Sequence, residues 1–287
     1  MRACELRGAT YPAAMVARAV AAAAILLLAA VCHGAVIHDV RSPYSHIQIR
    51  DSGSQRAMFF LGNGGEAMLE TIIDLNAPHR LQHAYSHTMA AGLLYRPTAS
   101  SCLLIGLGGG AIVRFLNHEL PHMRLDVVEI DPVVVALARE FFGTETGPRT
   151  RIFTEDAVQY LRHSQERYDL ILVNAHLMPS TQTNATGLPL GFSAEAFLSS
   201  LRARLLPGGA VTFNLIEGKD TAAQIGLIRN AFRAVDVYRS ASVGNVIVVA
   251  LATAAPRDGE LRRRAQELDR QADRGFSFEK MLDERER

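Results

Sequence analysis

Tryptophan is absent from the 287 residues, and cysteine occurs only three times, at positions 4, 32 and 102. No two of these form a CxxC pair, which excludes a disulfide framework and a cysteine-built zinc site. No other metal-ligand spacing is present, so no metal is expected. An excess of one charge is also missing: 30 basic residues face 29 acidic ones, for a net charge of +1. Such a balance lacks the overall basic field of a nucleic-acid binder, and no nucleic-acid partner is expected. With 48% apolar residues, 22 glycines and 11 prolines, the composition is neither disordered nor collagenous. No internal repeat and no long linker is visible.

The longest apolar run, AVAAAAILLLAAVC over 19–32, is shorter than the roughly 20 residues a helix needs to cross a bilayer comfortably. Arg2, Arg7 and Arg18 precede it against a single Glu5, and Gly34 and Ala35 follow as small residues. That order fits a signal peptide or membrane anchor over residues 1–35, with Met15 as a second candidate start. The remainder would then be exported or membrane-anchored. The alternative is an Ala-rich helix packed on the domain, or an untranslated extension, and a cytoplasmic protein.

Residues 36–75 read as a small β domain, in which IQIR and AMFFL are short strands and DSGS and GNGG are turns. A helix is expected over His79–Tyr95, ending before Pro97. From 76 to 256 strand-like and helix-like segments alternate. The strands are CLLIG, LDVVEI, RIFTE, YDLILVN, AVTFNL and NVIVVAL, and one of the helices is TAAQIGLIRNAFRAV. Strands apolar throughout and separated by helices predict an α/β fold, a Rossmann-like, doubly wound, mainly parallel sheet covered on both faces. Residues 257–287 read as one charged helix with a solvated face.

Four polar features are expected at the carboxyl ends of these strands. A strand runs into Gly106, Gly108, Gly109 and Gly110 before a helix, a turn that either merely reverses the chain or lets a ligand approach the backbone. Glu129 ends the next strand 19 residues after Gly110, where an acid can accept hydrogen bonds from ribose hydroxyls. Asp131-Pro132 has a plain explanation as an N-cap followed by proline. Asp156 either caps the next helix or receives an adenine amino group, and both readings stand. Asn174 ends the fourth strand. Convergence of these groups on one crevice predicts a nucleoside site. His83, His87 and His176 are candidate bases near it, though lone histidines are more often surface or helix residues. The loop 177–191, which carries the sequon Asn184-Ala-Thr186, sits where a substrate lid would. Cys102 is expected in the core.

The stretches SPYSHIQI, PHRLQHAYSHTMA, LLIGLGGGAIVRFL, DVVEIDP, TEDAVQYL, RYDLILVNAH and FLSSLRARLLPGGAVTFNL, in this order, resemble the spermidine synthase family, specifically its divergent bacterial branch. That resemblance implies the class I S-adenosylmethionine methyltransferase fold behind a small β domain. It implies that Tyr44, Gly106, Gly108, Glu129, Asp156 and Ala157, with Gly110 in the same loop, bind decarboxylated S-adenosylmethionine or S-adenosylmethionine. It also implies a small-molecule acceptor such as an amine, and a homodimer. Yet the aspartate of the family's GGGDGG loop is Gly109 here, and the catalytic aspartate of the fourth strand is Asn174. The second acid of its DxxD is Leu177, YHE is Tyr85-Ser86-His87, and LDG corresponds to Gly62-Asn63-Gly64. Amine chemistry uses carboxylates to pair with ammonium groups and to accept a proton, and an amide does neither. The expectation is therefore a spermidine-synthase-like transferase for which spermidine synthesis itself is disfavoured. The alternatives are an S-adenosylmethionine-dependent methyltransferase and an exported, inactive binding protein.

Overall fold

Strand residues here alternate between buried and half-exposed where one face is covered, and are buried throughout where both are. A computed structural model describes residues 34–177, 180–184, 186–239 and 244–286. The first four strands, β1 (Ala35–Arg41), β2 (His46–Ser52), β3 (Gln55–Leu61) and β4 (Ala67–Asp74), form an antiparallel sheet in that order. Ile47 and Ile49 of β2 are fully buried between half-exposed neighbours, the period of a half-covered strand.

Two short helices follow, α1 (Ala84–Met89) and α2 (Gly92–Tyr95). The helix expected over 79–95 thus begins five residues later and breaks once. The chain then alternates: β5 (Ser101–Ile105), α3 (Ala111–Glu119), β6 (Arg124–Glu129), α4 (Pro132–Phe142), β7 (Thr150–Thr154), α5 (Ala157–His163) and β8 (Tyr168–Val173). It continues with α6 (Glu195–Ala203), β9 (Leu205–Ile216), α7 (Thr221–Ala231), β10 (Ala234–Arg239), β11 (Asn245–Leu251), α8 (Asp258–Gln271) and α9 (Phe278–Asp283). Seven strands make one sheet in the order β10-β11-β9-β8-β5-β6-β7, parallel from β7 to β9 and antiparallel at β11 and β10. This is the doubly wound α/β fold. The strand order reverses between β5 and β8, the place where such sheets bind ligands.

Every residue of β5 and of β8 is buried. One face of the sheet shares its core with the small sheet, joining Ile47, Met58 and Ile73 to Leu104 and Leu172. Cys102 lies in that core as a free thiol.

Two expectations need correction. The helix expected over 221–235 ends at Ala231, and AVDVYR becomes β10, because its alternating residues pair antiparallel with β11. The tail from 257 is not one solvated helix. It forms α8 and α9, whose Leu261, Ala265, Leu268, Phe278, Met281 and Leu282 are buried in the main core, at i, i+4 and i+7 spacing in α8. The segment read as a signal or anchor lies outside the described residues apart from its last two. Among the described residues no helix is long and apolar enough to cross a membrane.

Candidate active site

At the reversal of strand order the backbone leaves β5 and β8 side by side. Asn174 donates its N–H to Ile105 O at 2.8 Å, and Gly106 donates to Val128 O at 2.9 Å. Gly106 (φ +92) is compelled by this packing, because a Cβ there would lie 2.1 Å from Asn174 O. Gly108 (φ +52) faces β4: a Cβ would meet Thr71 Oγ1 at 2.6 Å and Glu70 Oε1 at 3.1 Å. Both glycines are therefore required by the protein's own packing as well as bordering open space.

That space is a cleft of about 870 Å³, counted to its open mouth. Tyr44, Gly106, Gly108, Glu129, Asp156, Ala157 and Asn174 all line it. Gly110 does not. It caps α3 in the left-handed conformation and faces the Thr144 side chain, so its place in the loop is structural.

Glu129 carries a structural duty that its sequence position did not reveal. Its Oε2 accepts from Leu107 N at 2.8 Å and its Oε1 from Asp131 N at 3.0 Å, tying the glycine loop to the turn after β6. The Ile130 N–H is a third backbone donor, which leaves about one of the carboxylate's four lone-pair directions free. Burial raises the Glu129 carboxyl above its usual range, and the backbone donors partly offset this. Asp131 caps α4 through Val133 N and also accepts from Ser42 Oγ, which docks the β1–β2 turn and Tyr44 over the cleft. Asp156 caps α5 through Gln159 N at 3.0 Å and also lines the cleft.

Asn174 Oδ1 accepts from Asn214 Nδ2 at 2.8 Å, and Asn214 accepts in turn from Asn245 Nδ2 at 2.9 Å. A further side-chain hydrogen bond joins Asn174 to Tyr85. This chain of amides fixes a neutral group where the resembled family has an acid.

The three histidines separate. His176 lines the cleft with its Nε2 buried and unpartnered, and burial pulls its pKa down to about 4. His83 borders an adjoining recess in the same condition, its pKa also brought down to about 4 by burial and by His87. His87 hydrogen-bonds Leu81 O at 2.9 Å and stacks on Phe276, which makes it structural. Gln182 and Pro189 of the loop 177–191 wall the cleft. Asn184 Oδ1 accepts from Thr186 N, Thr186 Oγ1 and Leu188 N, so the sequon asparagine is committed to folding its own loop. Sequence reasoning missed Glu70 of β4, which lines both cleft and recess. Burial and the Glu129 charge raise its carboxyl to about 8. An acid in the middle of the short run AMLETIID, which Asp74 closes, gave no signal. Among the described residues no cluster could hold a metal ion.

Comparison with known proteins agrees with this geometry. The chain is 30% identical over 230 residues to a polyamine aminopropyltransferase of Chromobacterium violaceum, covering 78% of this chain and 83% of that one. Its fold resembles a spermidine synthase solved with the transition-state analogue AdoDATO (TM-score 0.62, 17% identity, 82% of this chain and 79% of that one). It also resembles human methyltransferase-like protein 13 solved with SAH (TM-score 0.61, 23% identity, 68% of this chain and 96% of that one). Residues 82–249 match the spermine/spermidine synthase domain along the stretch that builds the glycine loop, the Glu129 turn and the Asn174 strand end, and the chain therefore belongs to that family.

Proposed function

We propose that this protein is a transferase whose cleft binds a nucleoside sulfonium, S-adenosylmethionine or its decarboxylated form, and passes one carbon substituent of the sulfur to a nucleophile. The observation that carries the reading is the set of polar groups on one cleft at the strand-order reversal. Glu129 borders the cleft with a lone pair left for a ribose hydroxyl, Asp156 and Ala157 line it where an adenine would lie, and Gly106 and Gly108 leave the sulfur end open. Fold likenesses to proteins solved with SAH and with AdoDATO support the same ligand class.

The sulfonium supplies an electrophilic carbon. The protein's part is positioning: the Glu129 turn fixes the sugar, the docked β1–β2 turn covers the cleft, and Asn174 faces the acceptor side as an oriented amide. A diamine, with two positive charges, finds no acid at 109, 174 or 177, so spermidine formation is not the reaction we assign.

The released nucleoside identifies the transferred group. The protein is incubated with each donor and a panel of acceptors, and products are read by mass spectrometry. S-adenosylhomocysteine marks methyl transfer and methylthioadenosine marks aminopropyl transfer. Release of neither, with any acceptor, overturns the transferase reading in favour of a binding protein. The targeting role of residues 1–35 is likewise a proposal. A mature amino terminus near residue 36 supports it, and an intact residue 1 in the cytosol overturns it.

A further inference from the structure

The sheet itself separates the two ends of the cleft. Asp156 and Ala157 follow β7, Asn174 and His176 follow β8, and strands β5 and β6 lie between them. Three strand spacings set these ends about 14 Å apart. With an adenine beside Asp156, the β8 end is where the sulfur and an incoming nucleophile meet.

That end presents no charge at neutral pH. The loop acid of the resembled family has no room here, because a Cβ on Gly109 would lie 2.8 Å from both Phe142 Cδ1 and Thr71 Cγ2. Burial and the Glu129 charge raise Glu70 to about 8, which keeps it protonated. Burial pulls His176 down to about 4, which keeps its ring neutral, and Asn174 is an amide. No lysine or arginine is among the described residues that line the cleft. A charged nucleophile, whether ammonium or carboxylate, finds no opposite charge waiting for it.

Two polar groups at this end are unspent, and they complement each other. His176 is only 8% exposed, lines the cleft, and has its Nε2 buried without a partner. In the neutral ring Nε2 is an acceptor when Nδ1 holds the proton. Asn174 Oδ1 is taken by Asn214, while Nδ2 carries two N–H donors, of which the bond to Tyr85 uses at most one. An acceptor and a donor therefore stand two residues apart at one strand end. An ammonium only donates and a carboxylate only accepts, but a hydroxyl does both.

We propose that His176 is the catalytic base of the transfer, and that the acceptor is an uncharged hydroxyl compound, an alcohol or a phenol, whose oxygen accepts from Asn174 Nδ2 and donates to His176 Nε2. This rests on the sulfonium-transferase reading above. A lone pair of the hydroxyl oxygen forms the new O–C bond as the C–S bond breaks, and the C–S electrons remain on sulfur as a thioether. The hydroxyl proton passes to His176 Nε2, and the imidazolium releases it to water. The products are an ether, a thioether nucleoside and one proton, so atoms and charge balance without a further reactant. A weak base suffices, because the hydroxyl proton becomes strongly acidic once its oxygen takes over the positive charge of the sulfonium. Leu177, Pro189 and Phe192, which line the cleft after His176, supply an apolar wall for the body of such a molecule.

The test joins binding to turnover. The full chain, saturated with S-adenosylhomocysteine or methylthioadenosine, is titrated calorimetrically with phenol, 1-butanol, anisole, benzylamine and benzoate. Phenol should bind at least tenfold tighter than anisole, which lacks the proton, and than the two charged probes; 1-butanol shows whether an alcohol is accepted as well. His176→Phe should weaken phenol at least tenfold and leave thioether affinity unchanged within twofold. His176→Gln, which keeps an acceptor but cannot carry the proton away, should recover part of the phenol affinity. With the corresponding sulfonium donor and phenol, the parent should form the phenyl ether by mass spectrometry, and His176→Gln should be at least a hundredfold slower. Phenol no tighter than anisole, or unaffected by His176→Phe, overturns the hydroxyl site. Benzylamine or benzoate tighter than phenol overturns the uncharged acceptor. Absence of the ether from the parent, or a His176→Gln rate within threefold of the parent, overturns the role as base. All of these leave the transferase reading standing, whereas failure of both thioethers to bind the parent protein overturns that reading and this inference together.

Discussion

The two ends of the seven-stranded sheet treat buried charge in opposite ways. At the amino ends, Asp169 of β8 accepts from Arg96 Nε at 2.9 Å and from the N–H and hydroxyl groups of Ser100 and Ser101. Burial pushes its carboxyl up, but these donors outweigh burial and leave it below the usual value. Asp126 of β6 is fully buried between Arg124 and Arg151, each at 2.7 Å, and accepts from Tyr168 OH at 2.8 Å. At the carboxyl ends, Glu70 has no cation beside it among the described residues, and the Nε2 atoms of His83 and His176 are buried without partners. One end spends its charges on holding strands together. The other leaves ionisable groups unsettled around a cleft, the arrangement that binding and proton transfer require.

Substitutions should separate the ends. Asp169→Asn removes the charge that five donors converge upon and leaves Arg96 without its anion. We expect a loss of about 3 kcal/mol in urea unfolding, with the affinity for methylthioadenosine unchanged. A loss below 1 kcal/mol would erase the contrast.

Next in size is an acid-side slope. His176 has a native pKa of about 4 against an ordinary 6.5. Between these values the unfolded chain binds a proton that the folded one refuses. Stability is therefore complete above about 6.5 and falls as pH drops towards 4, by about 3 kcal/mol from this residue. His176→Phe should flatten that slope, measured as the unfolding midpoint across pH 4–7. An unchanged slope would show that His176 gains a partner in solution.

Glu129→Gln keeps the shape but replaces one acceptor oxygen with a donor facing a backbone N–H. We expect at least a tenfold loss of methylthioadenosine affinity, about 1.4 kcal/mol, with a comparable loss in stability. Retained affinity would reduce Glu129 to a loop tie.

The last effect has the opposite sign. Glu70 holds its proton to about 8 in the folded protein, but an unfolded glutamate loses it near 4.5. Its contribution is complete below pH 4.5 and is lost as pH rises to 8. Glu70→Gln should therefore be more stable than the parent by about 4 kcal/mol at pH 8 and equal to it at pH 4. Lower stability at pH 8 would make Glu70 a structural residue like Asp169.

What the sequence revealed was local. The apolar runs of β5 and β8, the glycine loop and the Asp131-Pro132 cap are each written within a few residues, and each stands where it was read. What it concealed depends on partners far along the chain. Leu107 N reaches Glu129 across the glycine loop, Thr71 closes the space beside Gly109, and Glu70 matters only because β4 crosses that loop. In α8 the buried Leu261, Ala265 and Leu268 are so outnumbered by charged neighbours that the segment reads as solvated. Strand β10 is legible only beside β11, because six alternating residues after a helix continue a helical pattern equally well.

The central claim is that the cleft between the ends of β5 and β8 receives a sulfur-bearing adenine nucleoside. It is tested most directly by calorimetric titration of the parent protein with methylthioadenosine and S-adenosylhomocysteine, adenosine serving as the comparison. The account predicts saturable one-to-one binding of at least one of the two thioethers, tighter than adenosine and weakened at least tenfold by Glu129→Gln. No binding of either thioether, or binding indifferent to Glu129, would contradict it.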